Sequence, residues 1–166
     1  MSNTEKNIHV KTQITTAFLD LLGQKEFKDI SISEITSAAK VSRVSFYRNY
    51  GEKEDILRTY IKQLFGAWRK DDNTIPEHSD SDNLRRLFGH LIEYKDFYLL
   101  LCKRNLLHLL KDILVEIYGP KPEESNFGAY TAAFLSYGLY GWIEEWFARG
   151  MEESAWEMTE LLKIGI

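Results

Sequence analysis

Between Ser42 and Lys53 the chain reads SRVSFYRNYGEK, which gathers hydroxyl, guanidinium, amide, phenol and ammonium groups into one short segment. Most of these groups donate hydrogen bonds, several carry positive charge, and no serine or cysteine there has a base beside it. The chemistry they suit is recognition of a charged backbone with patterned edges. Ser42 and Ser45 offer hydroxyls to phosphate oxygens near the start of a short helix, where the helix dipole also favours anions. Arg43 has the fork that matches O6 and N7 of guanine. Tyr47 offers a ring to a thymine methyl or a hydroxyl to phosphate. Arg48 and Lys53 neutralise backbone charge.

Covalent catalysis finds no comparable support. The sequence contains no Ser/His/Asp or Cys/His arrangement, HExxH, Walker loop or GxGxxG. Glu144 and Glu145 are adjacent on one helix, where neighbours point in different directions, so they do not make a catalytic carboxylate pair. A single cysteine, Cys102, excludes an intrachain disulfide framework and a CxxC metal knuckle. Within LLLCKRN it reads as a small buried hydrophobe. His90 and His108 read as core or surface histidines. No catalytic residue, metal ligand or cofactor is expected, and the chain is not read as an enzyme.

The elements that must hold the basic segment are helical. Prolines number only three, no Asn-Gly or Asp-Gly hairpin signal occurs, and strict alternation is rare. Val10, Ile14, Ala17, Phe18, Leu21 and Leu22 form one stripe of a first helix, with Gly23 near its end. Ser31 followed by Glu34 is a capping box for a short second helix. A third helix is expected from about Ser42 to Asn49. A fourth carries Ile56, Tyr60, Ile61, Leu64, Phe65 and Trp68 at three- and four-residue spacing. The polar stretch DDNTIPEHSDSDN (71–83) reads as a linker or loop. Helices resume near Leu84, break again at YGPKPEES, and continue through FGAYTAAFLSYGLYGWIEEWFARG to a stop at Gly150. Ser154 and Glu157 cap the last helix. The expected fold is all-α with about nine helices: a helix-turn-helix domain over 1–53, joined through the long fourth helix to a helical domain over 54–166.

Composition bounds the function classes. At 166 residues, 44% apolar and 13% aromatic, the chain can bury a real core. No segment approaches the roughly 20 apolar residues of a membrane helix. The N-terminus has no apolar signal region, so a cytoplasmic address is expected. The net charge is −4, yet residues 1–70 hold 12 Lys and Arg against 8 Asp and Glu, whereas 71–166 hold 9 against 17. A basic front and an acidic rear fit a chain that meets phosphate at one end only.

The segment SISEITSAAKVSRVSFYRNYGEKEDIL resembles the DNA-binding region of the tetracycline-repressor (TetR/AcrR) family of bacterial regulators. Ser31, Ile35, Ala39, Val41, Ser42, Ser45, Phe46, Tyr47, Tyr50, Lys53, Glu54 and Leu57 carry the likeness. The resemblance implies that Arg43, Val44, Ser45, Tyr47, Arg48 and Asn49 face double-stranded operator DNA, that Lys53 and Lys11 hold phosphates, and that Phe46 packs inward. Lys40 stands where the family usually has glycine in the turn. A side chain in a left-handed turn costs on the order of 1 kcal/mol, so either the turn differs or Lys40 adds something such as a phosphate contact.

The same resemblance implies a C-terminal domain that senses a small-molecule effector and dimerises through its last long helices. Phe65, Trp68, Phe88, Phe97, Tyr98, Tyr118, Tyr130 and Phe134 are candidate pocket residues. GLYGWIEEWFARGMEES is similar to a C-terminal segment of one subgroup, and it sets Gly138 and Gly141 among Tyr137, Trp142 and Trp146. Small residues allow close helix approach and large rings supply buried area, so these residues are the expected homodimer interface. A two-fold partner is also needed because one recognition helix reads too few base pairs. The function expected is a homodimeric regulator, a repressor released from its operator by the effector. The alternative is a regulator or activator controlled by a partner protein, without a small-molecule pocket.

Overall fold

Residues 3–72 and 80–165 are described in a computed structural model of the chain, with side chains from 4 to 66 and from 82 to 164. Among the described residues there are nine α-helices, one short 3-10 turn and no strand. They divide into two compact units, Met1–Gln63 and Leu64–Ile166.

The first unit is built on three short connections. Helix α1 (Asn3–Gln24) buries Ile14, Ala17, Phe18 and Leu22, the three- and four-residue stripe of the sequence. A 3-10 turn (Phe27–Asp29) leads to α2 (Ile32–Ala38), then α3 (Arg43–Asn49), then α4 (Glu54–Asp72). Both α2 and α3 pack on α1 and on each other. Ile35, Phe46, Ile56, Leu57 and Ile61 are buried in this unit. Because Ile56, Leu57 and Ile61 belong to it, the unit takes in the front half of α4 and runs past the boundary expected after Lys53.

The second unit holds the rear of α4 with α5 (Asp80–Glu93), α6 (Lys95–Lys103), α7 (His108–Tyr118), α8 (Asn126–Ala148) and α9 (Ala155–Gly165). Helix α5 packs along α9, and α8 lies against α6 and α7. Phe88, Tyr98, Trp146 and Phe147 form a connected set of rings, with Phe88 and Trp146 edge to face at 5.5 Å and Tyr98 and Phe147 at 5.6 Å. The expected linker is shorter than its polar composition suggested. Asp71 and Asp72 still belong to α4, and Asp80 to Asn83 already belong to α5. Acidic residues are well tolerated in the first turn of a helix, which accounts for the start of α5 but not for the end of α4. The middle of the linker, 73–79, lies outside the described residues.

Helix ends follow local chemistry. The Ser31 side chain accepts from the Glu34 amide at 3.2 Å, and the Glu34 carboxylate accepts from the Ser31 amide at 2.9 Å. Ser154 and Glu157 repeat that reciprocal pattern ahead of α9. Gly150, at φ 83°, ends α8: its own amide reaches the Phe147 carbonyl, while the Met151 amide reaches back to that of Trp146.

Candidate nucleic-acid interface

The turn between α2 and α3 closes by the same pattern, with lysine in the left-handed position. The Lys40 amide donates to the Ser37 carbonyl at 3.1 Å and the Val41 amide to that of Thr36 at 3.0 Å. Lys40 adopts φ 54°. The turn therefore keeps the geometry that glycine would adopt without strain, and Lys40 accepts that strain while leaving its side chain exposed.

Ser42 caps α3, accepting from the Ser45 amide at 3.0 Å, and the two hydroxyls are also 3.0 Å apart. This cap fixes where the helix begins. Phe46 fixes its rotation: the ring is fully buried, with Tyr50 at 5.8 Å between ring centres. With Phe46 inward, the opposite side of α3 turns to solvent. Val44 is 68% exposed and Tyr47 58% exposed, and Arg43 and Arg48 are exposed beside them. A side chain that far out contributes little burial to the fold of this unit.

Two predicted contacts are held from within. The Arg43 guanidinium donates to the Ser33 hydroxyl of α2. The Asn49 amide donates to the Ser45 carbonyl at 2.8 Å. Lys53, assigned to phosphate by the resemblance, directs its ammonium inward. It donates to the carbonyls of Phe27 and Ile30 at 2.5 and 2.9 Å and lies 4.1 Å from the centre of the Phe27 ring. Lys11 is half-buried on α1. Sequence reading missed Ser33, and it also missed Lys6 and Asn7, which flank a groove with Ser45, Arg48 and Asn49 of α3. The only signal was that Asn7 lies one helical turn before Lys11.

Electrostatics stiffen the α2 side. The Glu34 carboxyl is held at about 2, first by the hydrogen bond from Lys25 at 2.5 Å and then by those from the Ser31 backbone and side chain.

The second unit does not gather the seven candidate pocket residues whose side chains are described. Phe65, Phe88 and Tyr98 are core residues, and Phe97 is half-buried. Tyr118 is 38% exposed and Tyr130 and Phe134 are both 72% exposed, because the face of α8 that carries those two is not the one facing α6 and α7. The side chain of Trp68 lies outside the described residues. Of the residues expected at a dimer interface, Tyr137, Gly138 and Gly141 are exposed along α8, Trp142 is half-buried, and Trp146 is inside the unit's own core. Among the described residues no group of three His, Cys, Asp or Glu side chains is placed to hold a metal, and no helix is long and apolar enough to cross a membrane.

Comparison with known proteins agrees with this geometry. Residues 14–60 match the family described as bacterial regulatory proteins, tetR family. Residues 81–166, just over half of the chain, match a transcriptional regulator C-terminal region of the same family. An uncharacterized HTH-type transcriptional regulator, YxbF, of Bacillus subtilis (strain 168) is 35% identical over 57 residues, 34% of this chain and 15% of that protein. The HTH-type dhaKLM operon transcriptional activator DhaS of Lactococcus lactis is 28% identical over 96 residues, 58% of this chain and 50% of that protein. The chain thus spans half the length or less of these curated relatives. With the capped α2–α3 pair inside one matched region and α5 to α9 inside the other, the chain belongs to the TetR family of DNA-binding bacterial transcriptional regulators.

Proposed function

We propose that this regulator works in the cytoplasm as a homodimer on a pseudo-palindromic operator, repressing until a small molecule binds its second unit. The observation that carries the reading is the disposition of α3: Phe46 is fully buried while Val44 and Tyr47 stand out beside Arg43 and Arg48. That side of α3 supplies a guanine fork, a methyl surface for thymine and charge for phosphate. Dimerisation is supported by α8, where Phe127, Tyr130, Phe134 and Tyr137 are exposed at three- and four-residue spacing. An apolar helix face of this kind is typical of homodimer cores. An effector is supported by the indole N–H groups of Trp142 and Trp146, both buried and without an acceptor among the described residues. A ligand oxygen would remove the cost of about 1–3 kcal/mol that each such group carries.

A second reading is control by a partner protein, with activation in place of repression. It is favoured by the likeness to DhaS, named as an activator, and by the exposure of Tyr118, Tyr130 and Phe134.

The test is fluorescence anisotropy with duplexes from the protein's own upstream region across a salt series, beside Tyr47→Ala and Arg48→Ala. Binding specific to one duplex, weakened by salt and lost in the variants, upholds the reading. Absence of binding to any duplex overturns it. Release from that duplex by a small molecule separates the repressor reading from the partner-controlled one.

A further inference from the structure

We infer that the groove between the first turns of α1 and the flank of α3 is a seat for the sugar-phosphate backbone, with Lys6 as its outer cation. This rests on the operator-binding reading and adds to it a second contact line, supplied by α1. The groove has a volume of about 450 Å³ and is open to solvent. Thr4 and Asn7 are three residues apart on one face of α1 and form one wall with Lys6. Ser45, Arg48 and Asn49 of α3 form the other.

Three features specify the occupant. Every lining residue except Val10 carries a side chain able to hydrogen-bond. Among the described residues the lining carries two cations and no carboxylate, although the chain as a whole is acidic at −4. Neither Lys6 nor Arg48 has an ion pair or hydrogen-bond partner among the described residues. Two unpaired cations facing one groove repel each other until an anion lies between them. Arg48 also borders the exposed side of α3 that carries Val44 and Tyr47. A strand whose bases meet Val44 and Tyr47 therefore passes its backbone by Arg48 and into the groove. The Thr4 hydroxyl and the Asn7 amide are neutral donors that complete a phosphate site.

Phosphate contacts carry no sequence information, and that makes the test sharp. Affinity of the full chain is measured over a salt series for two duplexes: one selected by the wild type from a randomised pool, and one of arbitrary sequence. Lys6→Gln and Arg48→Gln are each expected to reduce the slope of log K against log salt by about 0.9 per protomer, or about 1.8 for a dimer, on both duplexes, since each removes one phosphate contact from each protomer. Lys28→Gln, which removes an exposed charge from the 3-10 turn, is the control and keeps the wild-type slope. A Lys6→Gln slope equal to that of the wild type, with Tyr47→Ala still abolishing selective binding, overturns this inference and leaves the operator reading standing. Weakening on the selected duplex alone makes Lys6 a base contact and overturns it as well. Saturable binding of inorganic phosphate that duplex DNA does not displace would assign the groove to a free anion instead. Failure of the wild type to bind either duplex removes both readings together.

Discussion

Lys53 and Phe27 are twenty-six positions apart, yet the Lys53 ammonium lies 2.5 Å from the Phe27 carbonyl oxygen and 4.1 Å from the centre of its ring. With the Ile30 carbonyl also accepting at 2.9 Å, one side chain ties the start of α4 to the segment that leads into α2. A charged donor satisfying two backbone acceptors, reinforced by an aromatic face, is a structural clamp. Lys53→Met is expected to lower stability by about 1–2 kcal/mol while leaving the salt slope of DNA binding near that of the wild type. Urea unfolding and the anisotropy series check this together. A slope reduced by about one unit per protomer would instead put Lys53 on a phosphate.

Arg43 is steadied by Ser33 of the preceding helix. Held in this way, the guanidinium loses less side-chain freedom when it forks onto a base. Arg43→Ala is expected to cost about 1–3 kcal/mol at one base pair of the operator. Ser33→Ala should relax preference at that same base pair by a smaller amount and leave the others unchanged. Selection from a randomised duplex pool reads both effects, and a Ser33→Ala profile identical to the wild type would remove Ser33 from recognition.

Phe134 is 72% exposed on α8, so its replacement should not disturb the fold of one chain. Phe134→Asp places a carboxylate in the proposed two-fold contact and is expected to weaken self-association by at least about ten-fold, or 1.4 kcal/mol. Sedimentation velocity over a concentration series measures it, with circular dichroism to verify helix content. Unchanged association would move the interface off this face.

Glu34 sets an acid limit on the α2 cap. Its carboxyl is at about 2 in the folded chain against an ordinary 4.5, chiefly because Lys25 donates to it and then because Ser31 does. A carboxyl depressed on folding adds stability above its unfolded value, and that stability is lost as pH falls from 4.5 towards 2. Urea midpoints should therefore decline across that window in the wild type. In Glu34→Gln the profile should be flatter there, and the midpoint at neutral pH should already be lower.

The sequence by itself determined what depends on neighbours within a turn or two of helix. The capping boxes of Ser31 with Glu34 and of Ser154 with Glu157 and the stop at Gly150 were all legible, because these signals act over about three residues of the same chain. The inward turn of Phe46 and the outward turn of Val44 and Tyr47 were legible too, through the family resemblance. Tertiary structure alone decided contacts between segments. Nothing local tells Lys53 to choose Phe27 over solvent, brings Ser33 to Arg43, or sets Lys6 across a groove from Arg48. It also decided the faces of α8, which is apolar nearly all round. Trp146 turned to the core at 2% exposed and Phe134 turned to solvent at 72%. A helix with rings on both sides carries no period that marks one as inner, so only the packing of α6 and α7 against it could choose.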